Sequence, residues 1–235
     1  RLYIEKKSRS QLEAFYKETH FLKQIRHENV VGMLGCCIKS PFAYVIMEFV
    51  ELGSLYNCYQ DVYKSCGRSL RSRIAVAVDV VKGISYLHSK EIIHRDVKSP
   101  NVMVSGDWRG KICDFGLARI KDTATTMTAC GSPLWTAPEM INNTRYDEKI
   151  DVYSVAIIMW EILSWCTPYP GKTRFEVITS VVNGSRPPIS KEWPSCYVDL
   201  MQECWHAKPD ERPSMSEACQ RLSDFFQCTY GMREI

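Results

Sequence analysis

The sequence predicts an α+β fold, with a small strand-bearing N-terminal part followed by a larger helical body, and three patterns predict it. Two apolar runs, 33–38 and 43–49, joined around Ser40-Pro41, read as a β-hairpin. Helical spacing recurs at Leu12, Phe15, Leu22 and Ile25 within residues 9–26, and again at Ile74, Val78, Val81, Ile84 and Leu87 within residues 70–89. Residues 150–163 are apolar on nearly all sides, which marks a helix enclosed by its neighbours rather than one lying on a surface. Between the hairpin and the long helix, Gly53-Ser54-Leu55 reads as the start of another helix.

Composition narrows the function classes. The chain has 235 residues, 45% hydrophobic and 24% charged, enough to bury a large core. A net charge of +3, dispersed and without a basic-aromatic stripe, argues against nucleic acid as a partner. The longest apolar stretch, 152–163, is interrupted by Ser154 and Glu161 and is shorter than the roughly 18–20 residues a membrane span needs. Residues 1–10 contain no signal-peptide hydrophobic region. The eleven cysteines are scattered, with Cys36 and Cys37 adjacent and no Cys-x-x-Cys pair, so reduced thiols and a cytoplasmic location are expected and zinc is not.

Three short motifs carry the chemistry. His94-Arg95-Asp96-Val97-Lys98-Ser99-Pro100-Asn101 is followed by Asp114-Phe115-Gly116, entered from strand-like Lys111-Ile112-Cys113, and then by Ala137-Pro138-Glu139. Alone, an Asp-x-Gly turn means little, because it follows strands in many folds for backbone reasons. Together and in this order, the motifs resemble the catalytic half of a eukaryotic protein kinase. Phosphoryl transfer leaves a protein mostly the tasks of holding metal, nucleotide and hydroxyl in line and compensating charge. Carboxylate and amide oxygens suit Mg2+ for that purpose, and a basic group suits the moving phosphate.

The resemblance implies a two-lobed fold, with residues 1–50 a partial small lobe and residues 51–235 a mainly helical large lobe. It implies ATP and Mg2+ as cofactors and a protein as substrate. Asp96 would accept or orient the proton of the attacking hydroxyl, Lys98 would sit against the transferring phosphate, and Asn101 and Asp114 would hold the metal. Met47 would be the gatekeeper of the adenine pocket, which the backbones of Glu48 and Val50 and the side chain of Met103 would complete. Arg95 would receive a phosphorylated residue of the segment between Asp114 and Glu139, with Thr126 and Thr128 the candidates and Ser132 nearby. Those threonines also read as ordinary polar loop residues. Asp151 would anchor the backbone near His94, although an acid at a helix start is also favoured by the macrodipole alone. Glu139 and Arg212 would form a buried ion pair. Cys113, next to Asp114, is either a thiol facing the cleft and open to electrophiles or an inert small hydrophobe on a buried strand.

Glu18, in Phe15-Tyr16-Lys17-Glu18, resembles the glutamate of the family's third helix, whose partner is a lysine about eighteen residues earlier. That spacing puts the lysine immediately before Arg1 and makes Arg1-Leu2-Tyr3-Ile4 the end of its strand. Lys6 and Lys7 lie too close to Glu18 and read as solvated loop charges. The family's Gly-rich loop is also absent from these residues, the first glycine being Gly32. Lys98, with Gly131-Ser132 before Trp135, resembles Ser/Thr-directed kinases, and the Arg that tyrosine kinases carry two or four residues after the catalytic Asp is missing. Gln11-Leu12-Glu13-Ala14-Phe15, Gly131-Ser132-Pro133-Leu134-Trp135, Glu203-Cys204-Trp205 and Glu211-Arg212-Pro213-Ser214 resemble the tyrosine-kinase-like group near Raf and mixed-lineage kinases, a likeness that allows a kinase-domain dimer. Two function classes follow: a Ser/Thr protein kinase, weak or inactive in these residues alone, or a pseudokinase scaffold that uses the fold for binding.

Overall fold

The computed structural model describes residues 2–3, 9–39, 42–61, 69–114, 119–120 and 133–231. The first of these form a three-stranded antiparallel sheet ordered β1-β3-β2, with β1 at Leu2–Tyr3, β2 at Met33–Lys39 and β3 at Phe42–Met47. Register runs from Lys39↔Phe42 at the hairpin to Met33↔Met47, with an irregularity between Met33 and Gly35. Helix α1, Arg9–Gln24, crosses this sheet and packs Phe15 and Leu12 onto Ala43 and Val45. It stops two residues short of the span its apolar spacing predicts, as the chain turns into His27-Glu28-Asn29.

That turn fastens the sheet to the helical body. Asn29 is buried, and its backbone carbonyl accepts the Ile112 N–H at 2.9 Å while its side chain donates to the Gly110 carbonyl at 3.0 Å. The Val31 N–H returns a bond to the Ile112 carbonyl at 2.8 Å. A methyl group at Gly83 would lie 2.5 Å from the Asn29 carbonyl oxygen, so this glycine is kept inside a helix, at about 1 kcal/mol of lost propensity, for close approach.

The body is built on two helices. Helix α3, Leu70–Ser89, is capped by Ser69, whose hydroxyl accepts the Ser72 N–H, and it buries Ile74, Val78, Val81, Ile84 and Leu87. Helix α5, Lys149–Ser164, buries every residue from Ile150 to Leu163. Its valines and isoleucines are mediocre helix formers, so tertiary burial holds it, at about 1.5–3 kcal/mol for each large apolar side chain removed from water. Around these stand α2, Leu55–Gln60; α4, Pro138–Ile141; α6, Arg174–Val182; α7, Ser195–Cys204; and α8, Met215–Tyr230. Short pairs complete the fold: β4, Ile92–Ile93, with β7, Arg119–Ile120, and β5, Val102–Val104, with β6, Gly110–Ile112. The fold is α+β, with small sheets and a mostly helical body.

Arg212 is the largest charged side chain enclosed in this body. Its Nη1 and Nη2 bond the two carboxylate oxygens of Glu139 at 2.6 and 2.9 Å, its Nε donates to the His206 carbonyl, and its guanidinium lies 5.2 Å over the Tyr153 ring. The planar fork therefore satisfies both partners away from water. Truncation of Arg212 to alanine would leave Glu139 buried and unpaired, which costs about 3–5 kcal/mol. A thermal melt of Arg212→Ala is expected to fall by roughly 6–20 °C; a melt equal to the parent's would show that the pair does not hold the fold.

Candidate active site

The segment that carries the motif from His94 to Asn101 runs from β4 through a 3-10 turn, Ser99–Asn101, into β5. Its backbone is strained: Arg95 has φ of 68°, in the left-handed region that a side chain of its bulk rarely adopts. Two N–H groups at this bend point at one buried carboxylate. Asp151, from the first turn of α5, accepts the His94 N–H at Oδ2 and the Arg95 N–H at Oδ1, both at 2.9 Å, and its Oδ2 also meets His88 Nε2 at 2.9 Å. Burial pushes the Asp151 carboxyl up, but the bond and charge of His88, together with His94, more than reverse this and hold it below its ordinary value.

The bend brings the motif side chains together. Lys98 Nζ lies 2.6 Å from Asp96 Oδ2, and Asn101 Nδ2 donates to the Asp96 carbonyl at 2.9 Å and to its Oδ2 at 3.0 Å. Both bonds to Asn101 use its NH2, so its amide oxygen faces away from Asp96. The Asn101 carbonyl accepts the Cys113 N–H at 2.9 Å, which sets Asp114 beside Asn101 across the β5–β6 pair. Asp114 is exposed and has φ of 64°. Arg95 is buried, its guanidinium 5.6 Å over the Tyr146 ring.

Next to this cluster opens a cleft of about 590 Å³. Leu22, Val31, Val45, Met47, Val50 and Met103 wall it with apolar surface, and Cys113 and Asp114 also line it. Of the two residues whose backbones were expected at the pocket, Glu48 and Val50, Glu48 already commits its N–H to the Gly32 carbonyl at 2.9 Å, which leaves its carbonyl as the group it can offer a ligand. The Glu48 side chain is also engaged, accepting the Gly32 N–H at 2.7 Å and Lys111 Nζ at 2.8 Å. The Cys113 thiol lies on the cleft, but burial and the neighbouring Asp114 push it up to about 11, so its default form is the unreactive thiol. Of the two readings of Cys113, this favours the inert one, although the residue does line the cleft.

An apolar cleft lined also by the Asp114 carboxylate, with Asn101 on the neighbouring strand entry, has the chemistry to take a purine ring and a magnesium ion. Among the described residues no cluster of three His, Cys, Asp or Glu side chains forms a ready cage. Mg2+ needs none, since it keeps waters and substrate phosphates as most of its ligands. Phe115, Gly116, Thr126, Thr128 and Ser132 lie outside the described residues, as do Lys6 and Lys7. Glu18 is placed on α1, with its side chain outside the described set.

A match to the family model described as protein tyrosine and serine/threonine kinase covers residues 2–222. The chain belongs to that family. A putative serine/threonine-protein kinase/receptor of Acanthamoeba polyphaga mimivirus is 40% identical over 222 residues, which is 94% of this chain and 13% of that protein. Two probable serine/threonine-protein kinases of Dictyostelium discoideum, drkA and drkB, are 39% and 41% identical, over 94% and 90% of this chain and 34% and 31% of their own lengths. The chain therefore spans at most about a third of these three relatives. No helix among the described residues is long and apolar enough to cross a membrane.

Sequence reading missed three residues that support the surroundings of this site. Asn29 hides in a turn, and Lys111 looks like a solvated strand residue until β3 and β6 bring it to Glu48. Glu161 counted only as an interruption of an apolar run, yet it is fully buried and bonded to the catalytic loop through Ser99.

The Asp151 linkage has a definite sign. A carboxyl held below its ordinary value of 3.8 contributes fully above that value, and its contribution disappears as pH falls through the lowered folded value. An Asp151→Asn variant keeps the shape but turns an NH2 toward a buried N–H, at a cost of about 1–3 kcal/mol near neutral pH. Urea unfolding midpoints are expected to show that deficit at neutral pH and its near disappearance in strong acid; a deficit independent of pH would contradict the assigned ionisation.

Proposed function

We propose that the chain is the catalytic part of a protein Ser/Thr kinase that transfers the γ-phosphate of ATP to protein hydroxyls. The observation that carries this reading is the cluster of Asp96, Lys98 and Asn101 within hydrogen-bond distance, joined through the Asn101 carbonyl and Cys113 N–H to an apolar cleft that Asp114 helps to line. Asp96 would take or orient the hydroxyl proton, and Asn101 keeps its carboxylate turned to that task. Lys98, a mobile point charge, would stand beside the transferring group. Asn101 and Asp114 would hold Mg2+, which when bound neutralises charge on the phosphates. Met47, Met103 and the backbones of Glu48 and Val50 would seat the adenine, and Glu18 would pair with the family's strand lysine, which meets the phosphates.

The Ser/Thr choice rests on Lys98, on the absence of an Arg two or four residues after Asp96, and on relatives that carry that description. Within the family, the Glu203-Cys204-Trp205 and Glu211-Arg212-Pro213-Ser214 stretches support the tyrosine-kinase-like group. The hinge at 48–50 supports a division into a small lobe, residues 1–50, and a large lobe, residues 51–235. Arg95, buried at the base of the catalytic loop, would receive a phosphate from Thr126 or Thr128 and so order the segment that includes Ser132. A cytoplasmic location, a protein substrate and a kinase-domain dimer belong to the same reading.

The 235 residues contain neither a Gly-rich loop nor the strand lysine, so alone they are expected to bind MgATP weakly and to transfer phosphate poorly or not at all. A longer polypeptide that supplies both elements is expected to phosphorylate a general protein acceptor on Ser/Thr, with loss of about 100-fold or more in turnover for Asp96→Asn. Radiolabelled phosphate transfer with both proteins checks this. Absence of transfer from the longer polypeptide would favour a pseudokinase scaffold instead.

A further inference from the structure

Ten residues beyond Asp151 on α5, and fully buried, stands a second carboxylate that the reading above does not use. Glu161 Oε1 accepts the Tyr59 hydroxyl and the Ser99 hydroxyl, each at 2.7 Å, and its Oε2 accepts the Trp135 indole N–H at 2.9 Å. These donors come from three separate places. Tyr59 lies on α2, Ser99 follows Lys98 in the catalytic loop, and Trp135 precedes Thr136-Ala137-Pro138-Glu139, where α4 begins. We propose that Glu161 is a positioning residue for phosphoryl transfer: as a carboxylate it clamps the catalytic loop, α2 and the Trp135 turn in one register, and proton uptake loosens that clamp.

Hydrogen-bond counting gives the mechanism. An ionised carboxylate only accepts, so all three donors are served at once. A protonated carboxyl must itself donate. The indole N–H has no lone pair to receive that proton, so Tyr59 or Ser99 has to turn from donor to acceptor, and the charge-assisted character of all three bonds is lost.

The surroundings make the proton exchange accessible. The groups facing the carboxylate are Tyr59 from α2, Ser99 from the loop and Trp135 from the turn, all neutral. Lys98 is turned to Asp96, and Arg73 of α3 spends Nη1 on the Ile162 carbonyl at 3.3 Å with its guanidinium 5.0 Å over Trp165. Burial pushes Glu161 up to about 7, and the bonds from Trp135, Tyr59 and Ser99 only partly oppose it. Tyr59 is itself pushed upward by burial and stays a neutral donor.

The phosphoryl-transfer half of this inference rests on the proposed kinase activity; the clamp does not, and the test separates them. Glu161→Gln has the shape of the acid, cannot ionise and, like the protonated acid, must itself donate from one end. With 15N-labelled tryptophan, the Trp135 indole signal of the 235-residue chain, assigned with Trp135→Phe, is expected to shift with a midpoint near the value of about 7, and Glu161→Gln is expected to abolish the shift. No shift between about pH 6 and 8, or one that survives the substitution, overturns the clamp. In the longer polypeptide, turnover is expected to rise with pH through the same midpoint, and Glu161→Gln to be about 10- to 100-fold slower and flat, with KM for ATP unchanged. An active parent whose pH profile the variant reproduces overturns the positioning role. A parent silent at every pH overturns the kinase activity and the positioning role with it, while the indole titration still decides the clamp.

Discussion

A bend that places Arg95 in left-handed backbone and exposes two N–H groups inside the protein is unfavourable unless something fixes it. The Asp151 carboxylate fixes it, taking both N–H groups and the His88 ring at 2.9 Å. Everything chemical downstream inherits that constraint. The position of Arg95 sets that of Asp96, and the Asp96 side chain in turn orients Lys98 and Asn101. Through the Asn101 carbonyl and Cys113 N–H the same register passes to Asp114. The cleft wall depends on it too, because Met103 lies on the strand that Asn101 enters.

Helix α5 thus serves as a ruler for the site. Asp151 grips the start of the catalytic loop, Ser154 donates to the Trp135 carbonyl at 2.7 Å, and Glu161 reaches Ser99 and the Trp135 ring about three turns along. Both ends of the loop and the entry to α4 are therefore referenced to one rigid element. A helix whose sequence is nearly all apolar can carry a carboxylate only where it finds a full set of partners, since an unsatisfied buried carboxylate would outweigh several buried side chains. The polar positions on α5 are consequently the informative ones.

Much of this was legible in the chain. The 70–89 periodicity coincides with the bounds of α3, and the all-apolar run at 150–163 falls one residue inside α5 at each end, because those patterns follow from burial that dominates local preference. The motif residues were legible because phosphoryl transfer restricts residue type and order together. Glu161 was not, since a single acid within an apolar run carries no sign of which donors it will meet. Nor was the Glu48–Lys111 pair, whose partners lie 63 residues apart and meet only through strand packing. The missed end of α1 has a similar origin: Ile25 continues the helical period but is buried by the turn that delivers Asn29 to β6 and α3.

The two carboxylates of α5 show how environment, and not residue type or burial, assigns a role. Both are fully enclosed and both accept three bonds. Asp151 meets two backbone N–H groups, which cannot rotate, and an imidazole able to carry charge, so ionisation is favoured and the carboxyl lies below its ordinary value. Glu161 meets two hydroxyls that can reverse and an indole, with no cation bonded to it among the described residues, so burial prevails and the carboxyl is pushed up to about 7. Fixed donors make a permanent anchor, whereas rotatable ones make an acceptor that can exchange its proton without breaking the fold. On one helix the same functional group therefore holds the strained bend constantly and, in the proposal above, holds Tyr59, Ser99 and Trp135 conditionally.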